Sequence, residues 1–118
     1  MNAYIVYTPG RKNTEVVYAV FDNLDKAQEC ARNQRQRFLD KGWESWANKV
    51  RIAQPTDHNF ALEVANELIR QGNFLDMANQ GGTFKGDNVV IAAGNMDFLY
   101  HCAGILRKAV KEDKAKAA

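Results

Sequence analysis

Cysteine is scarce in this sequence. Cys30 and Cys102 are the only two in 118 residues, and they have neither the spacing of a zinc site nor the density of a disulfide scaffold. Both have small apolar neighbours, Ala31 and Ala103, so they read as two free buried thiols in a reducing compartment. Histidine is equally sparse. His58 and His101 stand alone, no set of metal ligands converges, and no motif calls for a cofactor. No run approaches the length and apolarity of a transmembrane helix, and Met1 is not followed by the charged and then apolar segments of a secretory signal. The expectation is a cytoplasmic chain with no membrane partner. A net charge of +2 is too small to demand a polyanionic partner on total charge alone.

What is present is ordinary for a globular domain: 46% hydrophobic and 25% charged residues, on a chain long enough to bury about two-thirds of its unfolded surface without a metal or disulfide. Residues 1–118 read as a single domain, with a mixed first part at 1–55 and a mostly helical part at 56–114. Residues 3–8 are β-branched and aromatic, as a strand prefers. Pro9-Gly10 breaks the run, and a second strand from Thr14 to Phe21 completes an antiparallel hairpin. Alternation places Val17, Ala19 and Phe21 on one face of that strand and Val16, Tyr18 and Val20 on the other. Both faces are apolar, so something must cover each of them. The cover is either this chain's own helices or a second copy in a homodimer.

Asp22 or Asn23 caps a first helix, with Leu24, Ala27, Ala31 and Phe38 on one face and Gly42 as its stop. Trp43 and Trp46 follow. A third strand spans Lys49 to Ala53, with Val50 and Ile52 pointing one way and Lys49 and Arg51 the other, and Pro55 closes it. Thr56 or Asp57 caps a second helix, striped by Phe60, Ala61, Val64, Ala65, Leu68 and Ile69, which Gly72 is placed to end before a short turn at Phe74 to Ala78. Val89 to Ile91 read either as a fourth strand, with Asn95 capping the next helix, or as the first turn of one long helix. Phe98, Leu99, Cys102, Ile105, Leu106, Ala109 and Val110 form the last stripe, and fraying is expected from Lys111. The fold class is therefore α+β: a small antiparallel sheet in the order strand-strand-helix-strand, followed by a helical C-terminal half packed on it.

Charge is segregated. Residues 32–51 carry six bases and two acids, whereas 52–106 carry two bases and six acids. The basic stretch also holds both tryptophans, the residue types that grip phosphates and stack on bases. Arg32, Arg37, Lys41, Lys49 and Arg51 are accordingly the candidates for nucleic-acid binding. However, Arg32, Arg35 and Arg37 fall at about 80°, 20° and 220° on the wheel from Leu24, which is no single stripe. Arg35 lies inside the apolar face, where its stem packs and its head pairs with an acid.

Catalytic constellations are thin. Asp97 and His101 are four apart on the solvent side of the last helix. Cys102 faces about 100° away from His101. His58, in the first turn of a helix, and the glycine-rich loop around Gly81, with Lys85, are the two places a small enzyme's site would sit. No residue is assigned a catalytic role or a metal.

Trp43 and Trp46, with Tyr4, Tyr18 and Val20 from the hairpin's second face, form the candidate surface for a protein partner, since large aromatics dominate interface hot spots. The leading functional expectation is a small non-catalytic accessory protein, an inhibitor or adaptor, docking on another macromolecule. A nucleic-acid binder using residues 32–51 and a small enzyme near His58 or Gly81 are the alternatives.

Overall fold

The computed structural model describes residues 1–9, 15–78, 89–91 and 96–117. The elements run β1 (Tyr4–Pro9), β2 (Glu15–Phe21), α1 (Leu24–Asp40), α2 (Glu44–Ala47), β3 (Arg51–Ala53), α3 (His58–Ala78), β4 (Val89–Ile91) and α4 (Met96–Ala117). The fold is α+β, as expected. β1 is central and pairs antiparallel with both β2 and β3. β4 adds to the free edge of β2 in parallel, giving the sheet order β3-β1-β2-β4. Val89 to Ile91 are thus strand rather than helix. Asn95, the proposed cap, and the loop around Gly81 lie outside the described residues, as does the hairpin connection.

Two layers of helix sandwich the sheet. On one face Ile5, Val17 and Val20 pack with Ala61, Val64 and Leu68 of α3 and with Leu99, Cys102 and Leu106 of α4. On the other, Val6 packs with Ala27, Ala31 and Phe38 of α1 and with Ala47 and Val50. The chain therefore covers both faces of its own hairpin. The face that suggested a second copy is filled by α1, whose Ala27 and Ala31, one turn apart, are small enough to let the helix lie against the strands.

The hairpin departs from simple alternation. Val6 opposes Ala19, whereas Tyr7 opposes Val17, which leaves Tyr18 as the extra residue of a β-bulge. The bulge moves Val20 onto the α3/α4 face beside Val17 and leaves Tyr18 and Phe21 packing on the α1 side. A run with no polar residue to mark either face gives no sign of the slip.

Asn23 caps α1, its Oδ1 accepting from the backbone N–H groups of Asp25 at 2.8 Å and Lys26 at 3.2 Å. Leu24, expected in the apolar stripe, is instead 43% exposed; it sits in the first turn, ahead of the residues that reach the sheet. Arg35 was expected to pair with an acid. Its guanidinium donates to the carbonyl of Val50 at 3.0 Å, tying α1 to the entry of β3. That entry is shorter than the sequence suggested, because Lys49 still donates its backbone N–H to the Trp46 carbonyl and only Arg51 to Ala53 join the sheet.

Asp57 caps α3, accepting from the Asn59 N–H at 2.8 Å. The helix then runs through Gly72 without stopping. The glycine serves a different purpose: a Cβ there would lie 2.7 Å from Cε1 of Tyr100 on α4. Its absence lets the ring cross α3, and the Tyr100 hydroxyl donates to Asn73 Oδ1. α4 likewise continues to Ala117 rather than fraying at Lys111, helped by a contact between Asp113 and His58 at the start of α3. No described helix is long and apolar enough to cross a membrane.

Gly72→Ala is expected to lower stability by about 1 kcal/mol, because overpacking against the ring outweighs the alanine's helix propensity. In a Tyr100→Ala background the same change is expected to raise stability by about 1 kcal/mol. Urea melts of the four proteins check the reversal of sign.

Candidate functional site

The described surface has a groove of about 630 Å³ where the end of α1 parts from β2. Val16 and Tyr18 form its sheet side, Gln34, Arg37, Asp40 and Lys41 its helix side, and Phe38, Trp43 and Trp46 its aromatic wall.

The wall is built by the way α1 stops. Gly42 adopts φ +77°, a left-handed conformation open to glycine at little cost. The chain then reverses so that the Trp43 N–H donates to the Phe38 carbonyl at 2.8 Å and the Gly42 N–H to the Leu39 carbonyl at 3.0 Å. This pair of bonds is the Schellman motif, which brings the residue after the glycine against the residue three positions before the cap. Here those residues are Trp43 and Phe38, whose ring centroids lie 6.2 Å apart. The one-turn helix α2 then returns Trp46 to the same phenylalanine, at 6.1 Å. Tyr18, from the bulge, meets Phe38 edge-on at 6.0 Å. Three aromatic rings thus converge on Phe38, which is buried, each contact adding about 0.5–1.5 kcal/mol beyond simple burial.

The Tyr18 ring is fixed at its far end as well. Its hydroxyl shares a 3.0 Å hydrogen bond with Oγ1 of Thr8, the one fully buried polar residue among those described. Burial pushes the Tyr18 phenol above its usual pKa, more than the Thr8 contact lowers it, so the groove's hydroxyl stays neutral. In contrast to these fixed rings, the indoles remain open to solvent: Trp43 is 50% exposed and Trp46 39%. The Lys41 ammonium lies 5.0 Å from the Trp43 ring centroid and that of Lys49 5.2 Å from that of Trp46, within cation–π range.

The residues singled out in the sequence separate into two groups. Trp43, Trp46 and Tyr18 come together around Phe38, with Arg37 and Lys41 alongside and Lys49 over Trp46. Val20 is removed from any partner surface, being fully buried against α4; the bulge is the reason. Tyr4 is half-buried on the α1 side of the sheet, outside the groove's lining. Arg32 is exposed on α1 but does not line the groove. Arg51 lies in β3 next to Ile52, which packs on the α1 side, so alternation turns Arg51 to the other face. The basic stretch is therefore divided between surfaces. Sequence reasoning missed Phe38 and Thr8 as site residues, having read the first as ordinary core and the second as ordinary strand.

The two enzymatic candidates fare differently. The Gly81 loop lies outside the described residues. His58 is described: its Nε2 contacts Oδ2 of Asp113 across the α3/α4 pair, both side chains being partly exposed. Asp97 and His101 are exposed on α4. Cys102 is buried, its thiol pushed up to about 11, chiefly by burial, and its Sγ sits 3.4 Å from both the N–H and the carbonyl of Val20; it is a packing residue. Among the described residues no group of three or more His, Cys, Asp or Glu side chains is placed to hold a metal ion.

Hydrogen bonding from His58 holds the Asp113 carboxyl below its usual 3.8. A depressed folded value means the contact stabilises fully above the usual carboxylate range and is lost as pH falls through that depressed value. The urea midpoint is expected to fall more steeply in the wild type than in Asp113→Asn between about pH 5 and about pH 3. Equal slopes would show that the contact carries no stability.

Compared with known protein families, with characterised proteins and with solved structures, the chain matches none.

Proposed function

We propose that this chain is a small, non-catalytic cytoplasmic docking protein, an adaptor or inhibitor, which binds a protein partner through the groove beside Phe38. The observation that carries the reading is that two indoles, half open to water, are held by a helix stop and a buried ring. Exposed tryptophan is costly in solvent, and a side chain fixed before binding loses less entropy when a partner arrives. Among the described residues the groove's lining contains no histidine or cysteine, and the one acid among them, Asp40, accepts a hydrogen bond from Gln36 at 2.8 Å. These groups suit recognition better than proton transfer.

The test compares the wild type with a Trp43→Ala/Trp46→Ala variant as baits in the native host. Both indoles are outside the main core, so the variant is expected to keep its circular dichroism spectrum and cooperative melt. A protein retained by the wild type should be lost by the variant, and adding it purified should shift the wild-type tryptophan emission to shorter wavelength. Recovery of the same proteins by both baits would contradict the proposal.

A further inference from the structure

The groove also specifies the chemistry of its partner, an inference that rests on the docking reading. Arg37 and Lys41 line it, and Lys49 stands over Trp46 at its margin. Among the described residues none of these three cations forms an ion pair. Elsewhere Arg70 pairs with Glu67 at 3.6 Å, Lys108 with Glu112 at 3.9 Å, and Arg107 reaches Asn66 Oδ1 at 3.3 Å; what distinguishes Arg37, Lys41 and Lys49 is their grouping around one aromatic groove. Asp40 keeps its negative charge, since its bonded partner is the neutral Gln36, but among the described lining residues it is one acid against the cations Arg37 and Lys41, with Lys49 at the margin. Two of the free cations are also held in place, each ammonium resting on an indole rather than sweeping through solvent.

We infer that the groove accepts an acidic protein segment, in which a large apolar side chain enters against Tyr18, Phe38 and the indoles while flanking carboxylates meet Arg37, Lys41 and Lys49. A volume of about 630 Å³ holds a few side chains rather than a folded surface. Charge complementarity of this kind orients a partner and rejects basic ones. A nucleic-acid strand fits less well. Arg32 and Arg51 lie off the groove, so among the described residues no continuous cationic track follows a backbone.

Panning a random-peptide phage library on the intact protein tests this inference, with single-stranded oligothymidylate as competitor. The expected winners carry an aromatic residue or leucine flanked by Asp or Glu. A synthetic peptide of that sequence should bind the wild type and weaken as salt rises. It should lose about tenfold or more in affinity for a folded Arg37→Glu/Lys41→Glu/Lys49→Glu variant, and its binding to Trp43→Ala should be abolished. Neutral or basic winners whose binding still needs Trp43 would overturn the acidic assignment and leave the docking reading in place. No enrichment, or binding that Trp43→Ala leaves intact, would overturn both. Oligothymidylate displacing the peptides at lower concentration than the peptides themselves would overturn the inference in favour of nucleic acid.

Discussion

The carbonyl of Phe38 accepts hydrogen bonds from the backbone N–H groups of Lys41 and Trp43, and the geometry of the groove follows from that junction. A helix that ended one residue earlier or later would point Trp43 elsewhere, since each residue turns the side chain by about 100°. The glycine at 42 makes the reversal cheap, and the phenylalanine gives the returning indole a surface to settle on. Both are needed: the backbone bonds set the direction, and the ring contact holds the side chain. The short helix α2 reuses the same ring for Trp46, so one buried residue orders two exposed ones.

The opposite wall includes a second local irregularity. Tyr18 is the extra residue of the β2 bulge, and on the α1 side its hydroxyl shares a hydrogen bond with that of Thr8 in the central strand. A regular strand would turn the following residues the other way, leaving Val20 without its place against α4. The slip therefore lets one strand present Tyr18 to the groove and Val20 to the α3/α4 core. Secure burial of the α3/α4 side, with Gly72 admitting Tyr100 and Asp113 joining His58, supports the sheet from behind. The sheet in turn is the platform against which α1 is positioned.

Much of this was legible in the sequence, because the relevant signals are local. Asn23 ahead of a helical stripe, Gly42 behind a lysine, and the Ala27/Ala31 spacing are short-range patterns with direct physical meaning. The helices of the second half followed from their apolar stripes. The misreadings share a cause, which is that the deciding contact is far away in sequence. Gly72 looks like a stop until Tyr100 is placed over it. Arg35 calls for a carboxylate until the Val50 carbonyl is placed within its reach. The bulge left no trace because apolar residues on both sides of it are compatible with either register. The grouping of Trp43, Trp46 and Tyr18 around Phe38 follows from the helix stop and from Tyr18 sharing a face of β2 with Val16, both readable; the unreadable bulge changed the face only of later residues, Val20 among them. The basic stretch, continuous along the chain, is divided in space because β3 sends Arg51 and Ile52 to opposite faces.

The chain thus builds the groove proposed for docking from an ordinary folding device, a helix stop, beside a strand that carries one extra residue. Its central claim is that the two indoles are ordered before any partner arrives. Relaxation of the indole N–H groups in the free protein, measured by NMR on ¹⁵N-tryptophan-labelled material, tests this most directly. Order parameters near about 0.85 for both Trp43 and Trp46, falling when Phe38 is replaced by leucine, are the predicted result. Values below about 0.6 in the wild type would mean the indoles move freely despite the helix stop, and would contradict the account.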